Sequence, residues 1–126
     1  MLKINNKELG LYGWDLEDED SIKILKDKGF DIELLTFMAK KDLYIEAVSN
    51  YMEDVAKENG YYSVLSFCSY SNGNDSYALE SQKFISFRSS VWSYCYEELE
   101  KIEKGEITIP TLDYFLSTLP KFIKEV

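Results

Sequence analysis

Arg88 is the one arginine in 126 residues, and it stands inside an aromatic run, Phe87-Arg88-Ser89-Ser90-Val91-Trp92. A guanidinium offers a planar fork that suits a carboxylate or phosphate. Buried, it must be paired, because an unpaired buried charge costs several kcal/mol. Glu80, Asp42 and Glu46 are the candidate carboxylates, so the sequence predicts a buried ion pair that fixes helix register, or an anchor for a partner protein, since Arg and aromatics are favoured at interface hot spots.

The other reactive side chains do not assemble into a catalytic set. The chain has no histidine. That removes the commonest general base, the usual partner of a Ser or Cys nucleophile and the commonest zinc ligand. Its many serines lack a nucleophile-elbow pattern, and Cys68 and Cys95 lack a base. Two cysteines on apolar faces read as buried reduced thiols, with a bridge between them as the alternative. The acidic run from Asp15 to Asp20 fails as a calcium loop, which wants Gly where Asp20 stands and a Glu at the twelfth position. It reads instead as the approach to a helix capped by Asp20 or Ser21. No phosphate-cradling glycine loop is present. Neither catalysis, a metal nor a cofactor is expected.

With 14 basic and 23 acidic residues the chain carries a net charge of −9. A nucleic-acid groove or an anionic membrane surface needs the opposite sign. No segment approaches a membrane span, and the N-terminus lacks the apolar run of a signal peptide, which predicts a cytoplasmic protein. Length predicts a single domain, 1–126.

The elements that must position these residues follow from periodicity. Residues 2–14 read as a short β-hairpin turning at Asn5-Asn6 and broken by Gly10 and Gly13. A helix is predicted over 21–28, stopped at Gly29. Asp31 caps helical spacing over 32–58 (Leu35, Met38, Ile45, Val48, Met52, Val55), with a break at Lys40-Lys41-Asp42 plausible. Asn59-Gly60 supplies a left-handed stop. Residues 61–70 read as a short helix, with a strand as the alternative, and 71–75 as a loop. The main helix, 80–104, carries Phe84, Phe87, Val91, Cys95, Leu99 and Ile102 as one stripe and Ile85, Trp92 and Tyr96 as a second. A face this wide touches more than one neighbour. Glu97–Lys101 and Glu100–Lys104 are in the favourable i, i+4 order. Gly105 ends the helix, and Thr111 caps a last one, 112–119, closed by Pro120. The fold class is mainly α: a small helical bundle over 21–120 with a β appendage at 1–14. Trp14, Trp92 and the tyrosines, among them Tyr61, Tyr62, Tyr70, Tyr94 and Tyr96, supply half-buried core or a recognition surface for protein or carbohydrate.

From residue 59 to 120 the chain resembles a C-terminal module of small proteins encoded among the tail and tail-fibre genes of tailed bacteriophages and prophages. The resemblance is carried by Gly60-Tyr61, Leu65-Ser66-Phe67-Cys68-Ser69-Tyr70, Glu80, Phe84, Arg88, Val91-Trp92-Ser93-Tyr94-Cys95-Tyr96, Gly105, Pro110-Thr111 and Leu119-Pro120, in the same order and spacing. Phe87 stands where the module usually has Trp, and Ser89 where it usually has Asp. If that Asp pairs with the arginine, Arg88 must find another partner. The resemblance implies a non-enzymatic virion component or assembly factor whose partner is a tail or tail-fibre protein, located in the host cytoplasm or the virion. It also implies that Glu80, Phe84, Phe87, Arg88, Trp92, Tyr94, Tyr96 and Tyr70 serve core and interface. A second reading is an acidic inhibitor or immunity-type protein that blocks a basic, nucleic-acid-binding partner, motivated by the carboxylates at 15–20 and 97–106. A long aromatic helix can equally complete a dimer core, so self-association is also open.

Overall fold

The structure, a computed structural model, describes residues 2–123. The chain is mainly α: β1 (Lys3–Asn6), β2 (Leu11–Asp15), α1 (Glu19–Asp27), α2 (Ile32–Glu58), α3 (Val64–Cys68), α4 (Ser76–Glu103) and α5 (Leu112–Ser117). It forms two compact units, Met1–Tyr44 with Leu99–Ile109 and Ile45–Glu98 with Pro110–Val126. Two of the three divisions, at 44/45 and 98/99, fall inside the helices α2 and α4, where no linker composition marks them, and the third, at 109/110, lies in the link before α5.

The first unit is built on the hairpin. Alternation puts Ile4 and Leu11 inward, and they cluster with Leu16, Leu25 and Leu35. Such a hairpin has little stability alone and depends on this apolar support. The turn lies at residues 7–10, not at Asn5-Asn6. Asn5 and Asn6 finish β1 and use their side chains instead: the Leu9 amide donates to Asn6 Oδ1 at 3.1 Å and the Gly13 amide to Asn5 Oδ1 at 2.7 Å. Ile4 pairs with Trp14 and Asn5 with Tyr12, so Gly13 is an extra residue, a bulge at φ 68° that a side chain would strain. Gly13 therefore bends the hairpin rather than ending it.

Helix α1 begins two residues earlier than predicted. Its cap is Asp18, not Asp20 or Ser21: the Asp18 carboxylate accepts from the Ser21 amide at 3.1 Å and the Ser21 hydroxyl at 2.9 Å. Asp31 caps α2 as expected, accepting from the Glu33 and Leu34 amides. Helix α2 then runs without a break through Lys40-Lys41-Asp42. Phe37 and Tyr44, edge-on at 5.2 Å, keep the face apolar across that stretch, and Lys41 Nζ reaches Glu103 Oε1 at 2.8 Å.

In the second unit the predicted α4 stripe is buried throughout: Phe84, Phe87, Val91 and Cys95 here, and Leu99 and Ile102 on the same helix in the first unit. Ala78 and Ser81 extend it one turn toward the N-terminus, because α4 starts at Ser76 rather than 80. Asp75 makes that extra turn possible, its carboxylate accepting from the Ala78 amide at 2.8 Å. The 61–70 stretch contains the short helix α3, capped by Ser63. Thr111 caps α5 as predicted, but the helix ends at Ser117. No helix among the described residues is long and apolar enough to cross a membrane.

Candidate partner-binding surface

The site is assembled by a helix stop. Gly60, at φ 86°, ends α2 in a left-handed turn in which the Tyr61 amide donates back to the Ala56 carbonyl at 3.0 Å. That reversal delivers the Tyr61 ring onto Phe67 of α3, with centroids 3.9 Å apart and planes within 9°. Phe67 in turn stacks on Phe84 of α4 at 4.2 Å, again within 9°. Three rings from three consecutive segments thus form one column. Phe122 closes its flank, edge-on to Phe67 and Phe84 at 5.9 and 5.7 Å and tilted against Phe87 at 5.3 Å.

Polar groups lock the column. The buried Ser81 hydroxyl donates to the Phe67 carbonyl at 2.6 Å and satisfies one of the carbonyls that a helix as short as α3 leaves open. Tyr51 donates to the Pro120 carbonyl at 2.8 Å and meets Phe87 edge-on. Burial, and then the neighbouring Glu80 carboxylate, push the Tyr61 phenol above the ordinary range.

Above the column the surface is aromatic. Tyr62 is 89% exposed, Leu65 80% and Tyr77 63%. Tyr70 lies against both Tyr61 and Tyr77. Farther along α4, Trp92 and Tyr96 stack at 5.7 Å, with Tyr96 exposed and Trp92 half-buried. Tyr94 is also half-buried.

Arg88 is exposed, which corrects the expectation of a buried guanidinium. It forms no ion pair among the described residues. Glu80, expected as its partner, lies near the Tyr61 phenol instead. Two turns of helix, about 12 Å, separate positions eight apart. Arg88 borders a groove of 290 Å³ formed by α2, α3 and α4, lined also by Ser49, Met52, Glu53, Val64, Leu65, Cys68 and Trp92. Burial raises the Cys68 thiol above its usual range, and the positive charge of Arg88 opposes that shift without reversing it. Cys68 is half-buried and Cys95 buried, and both are reduced.

Of the residues singled out in the sequence, Phe84 and Phe87 are core, Tyr70, Tyr96 and Arg88 are surface, and Trp92 and Tyr94 lie between. Sequence reasoning missed Phe122 and Ser81. Phe122 follows Pro120 outside any periodic segment, so no spacing marks it. The acidic run is occupied locally: the Asp15 carboxylate accepts from the Glu17 amide at 2.9 Å, and Asp18 caps α1. No group of three or more metal-ligating side chains converges among the described residues. No protein-family model matches the chain, and no curated protein or solved structure matches it.

Proposed function

We propose that the chain is a non-enzymatic tail-associated protein of a bacteriophage or prophage, an adaptor or a chaperone for tail-fibre assembly that acts by binding a tail or tail-fibre protein. The observation that carries this reading is the division of labour among the residues of the tail-module resemblance. Tyr61, Phe67 and Phe84 stack inside the second unit, while Tyr70, Arg88 and Tyr96 are left at its surface. A rigid aromatic scaffold that displays Arg, Trp and Tyr has the composition of a binding hot spot. The net charge of −9 favours encounter with a basic partner face. The protein would work in the host cytoplasm, or within the virion as an adaptor.

Mass spectrometry of purified particles tests the adaptor role. The protein is expected at stoichiometric level in the virion if it is an adaptor, and outside it but co-purifying with fibre protein if it is a chaperone. Absence from both would sink the proposal. A second reading, the acidic inhibitor of a nucleic-acid-binding protein, draws on the exposed carboxylates of Glu17, Glu19 and Asp20. Tight binding to a nuclease that is lost at high salt would favour it instead.

A further inference from the structure

The groove lined by α2, α3 and α4 presents a guanidinium that makes no ion pair among the described residues. Arg88 is exposed, lines the groove and has no carboxylate partner among those residues. The lining carboxylate, Glu53, keeps its charge but accepts from the Val64 amide at 3.1 Å and makes no ion pair with Arg88. Apart from Arg88, Glu53 and Ser49 the lining is apolar or thiol. Trp92 lies one turn further along α4, and Leu65, 80% exposed, faces the groove from α3. An isolated Leu on a surface is ordinary, but a Leu, a Trp and an unpaired Arg around one hollow form a composite feature.

We propose that this groove seats a partner segment in which one carboxylate stands next to a bulky apolar side chain. The carboxylate lies on Arg88 and the apolar group between Leu65 and Trp92. The assignment rests on the partner-binding reading above and names the chemistry that reading would use. Charge complementarity selects the carboxylate. The planar fork of Arg88 matches its two oxygens, whereas a phosphate would call for more than the one cation lining the groove. An acidic tract is disfavoured, because the rest of a chain with net charge −9 repels every further negative charge. The groove therefore reads one anion at one position, and the stacked Trp92–Tyr96 pair continues the contact strip along α4.

Titration of the isotope-labelled full chain with the capped dipeptide acetyl-leucyl-aspartyl-amide, followed by NMR, tests this directly. The Trp92 indole and Arg88 side-chain resonances should shift saturably. The asparaginyl counterpart should bind about fivefold more weakly, the upper range for an exposed ion pair. Arg88→Gln should abolish the difference between the two peptides, Arg88→Lys should retain part of it, and Leu65→Ser should weaken both peptides alike. Indistinguishable aspartyl and asparaginyl peptides, or an unchanged preference in R88Q, would overturn the assignment. A tail-protein complex that R88Q leaves intact also overturns the groove while leaving the tail function standing. A groove that behaves as expected in a chain that binds no tail protein overturns the function alone.

Discussion

Phe67 and Phe84 stack with their ring planes within 9° and their centroids 4.2 Å apart, joining a helix of five residues to one of twenty-eight. Both side chains are fully buried. A helix as short as α3 has no stability of its own. The contact, continued to Tyr61 on one side and flanked by Phe122, is what holds α3 against α4.

Removing either ring should therefore cost much of the stability. Phe67→Ala and Phe84→Ala are each expected to destabilise by about 3–5 kcal/mol in chemical denaturation. The double variant should lose less than the sum, because the two rings share one contact. Strict additivity would show that the stack does not couple them.

Ser81 carries a separate, polar share of the same joint. Ser81→Ala removes the 2.6 Å bond to the Phe67 carbonyl and leaves that oxygen without this donor, which should cost about 1–2 kcal/mol. Ser90→Ala, at an exposed position of the same helix, serves as the control and should lie within about 0.5 kcal/mol of the parent. Equal effects at the two positions would contradict the role of the buried bond.

In the first unit, Gly13 tests the bulge. Nothing lies within 4 Å of where its Cβ would be, so the cost of Gly13→Ala is conformational alone. About 1 kcal/mol is expected from the positive φ, and Gly13→Asn should cost less, since Asn tolerates that region better. Thermal unfolding of the two variants measures the order, and a neutral alanine would sink the bulge assignment.

Stability should fall at alkaline pH. Burial and the Glu80 carboxylate hold the Tyr61 phenol above its ordinary value of 10.0. The folded chain then keeps a proton that the unfolded chain releases. The associated stability is complete below pH 10 and is lost as pH rises through the folded value. Tyr51 and Tyr44, raised mainly by burial, act in the same direction. Denaturation midpoints measured across this range should decline, and Tyr61→Phe should flatten the decline. A midpoint that holds steady, or a slope unchanged in Y61F, would refute the account.

The sequence by itself determined the helices and their buried stripe. Phe84, Phe87, Val91, Cys95, Leu99 and Ile102 recur every three or four residues, and that spacing leaves a helix one way to bury them. Asp31 and Thr111 announced their helix starts, and Gly60 a helix end, because capping and left-handed turns depend on neighbouring residues alone. The fate of Arg88 was decided only by the tertiary structure. It lies about 100° around the helix from Phe87, at the margin of the stripe. Whether a marginal position is covered depends on where α3 packs, and α3 leaves it open. The same holds for Asn5 and Asn6, whose turn propensity yields to strand pairing and a bulge at Gly13. It holds too for Phe122, which no periodic pattern contains but whose ring completes the stack. Local rules reach about one helical turn along the chain; contacts between residues tens of positions apart depend on which surfaces remain to be buried once the helices meet.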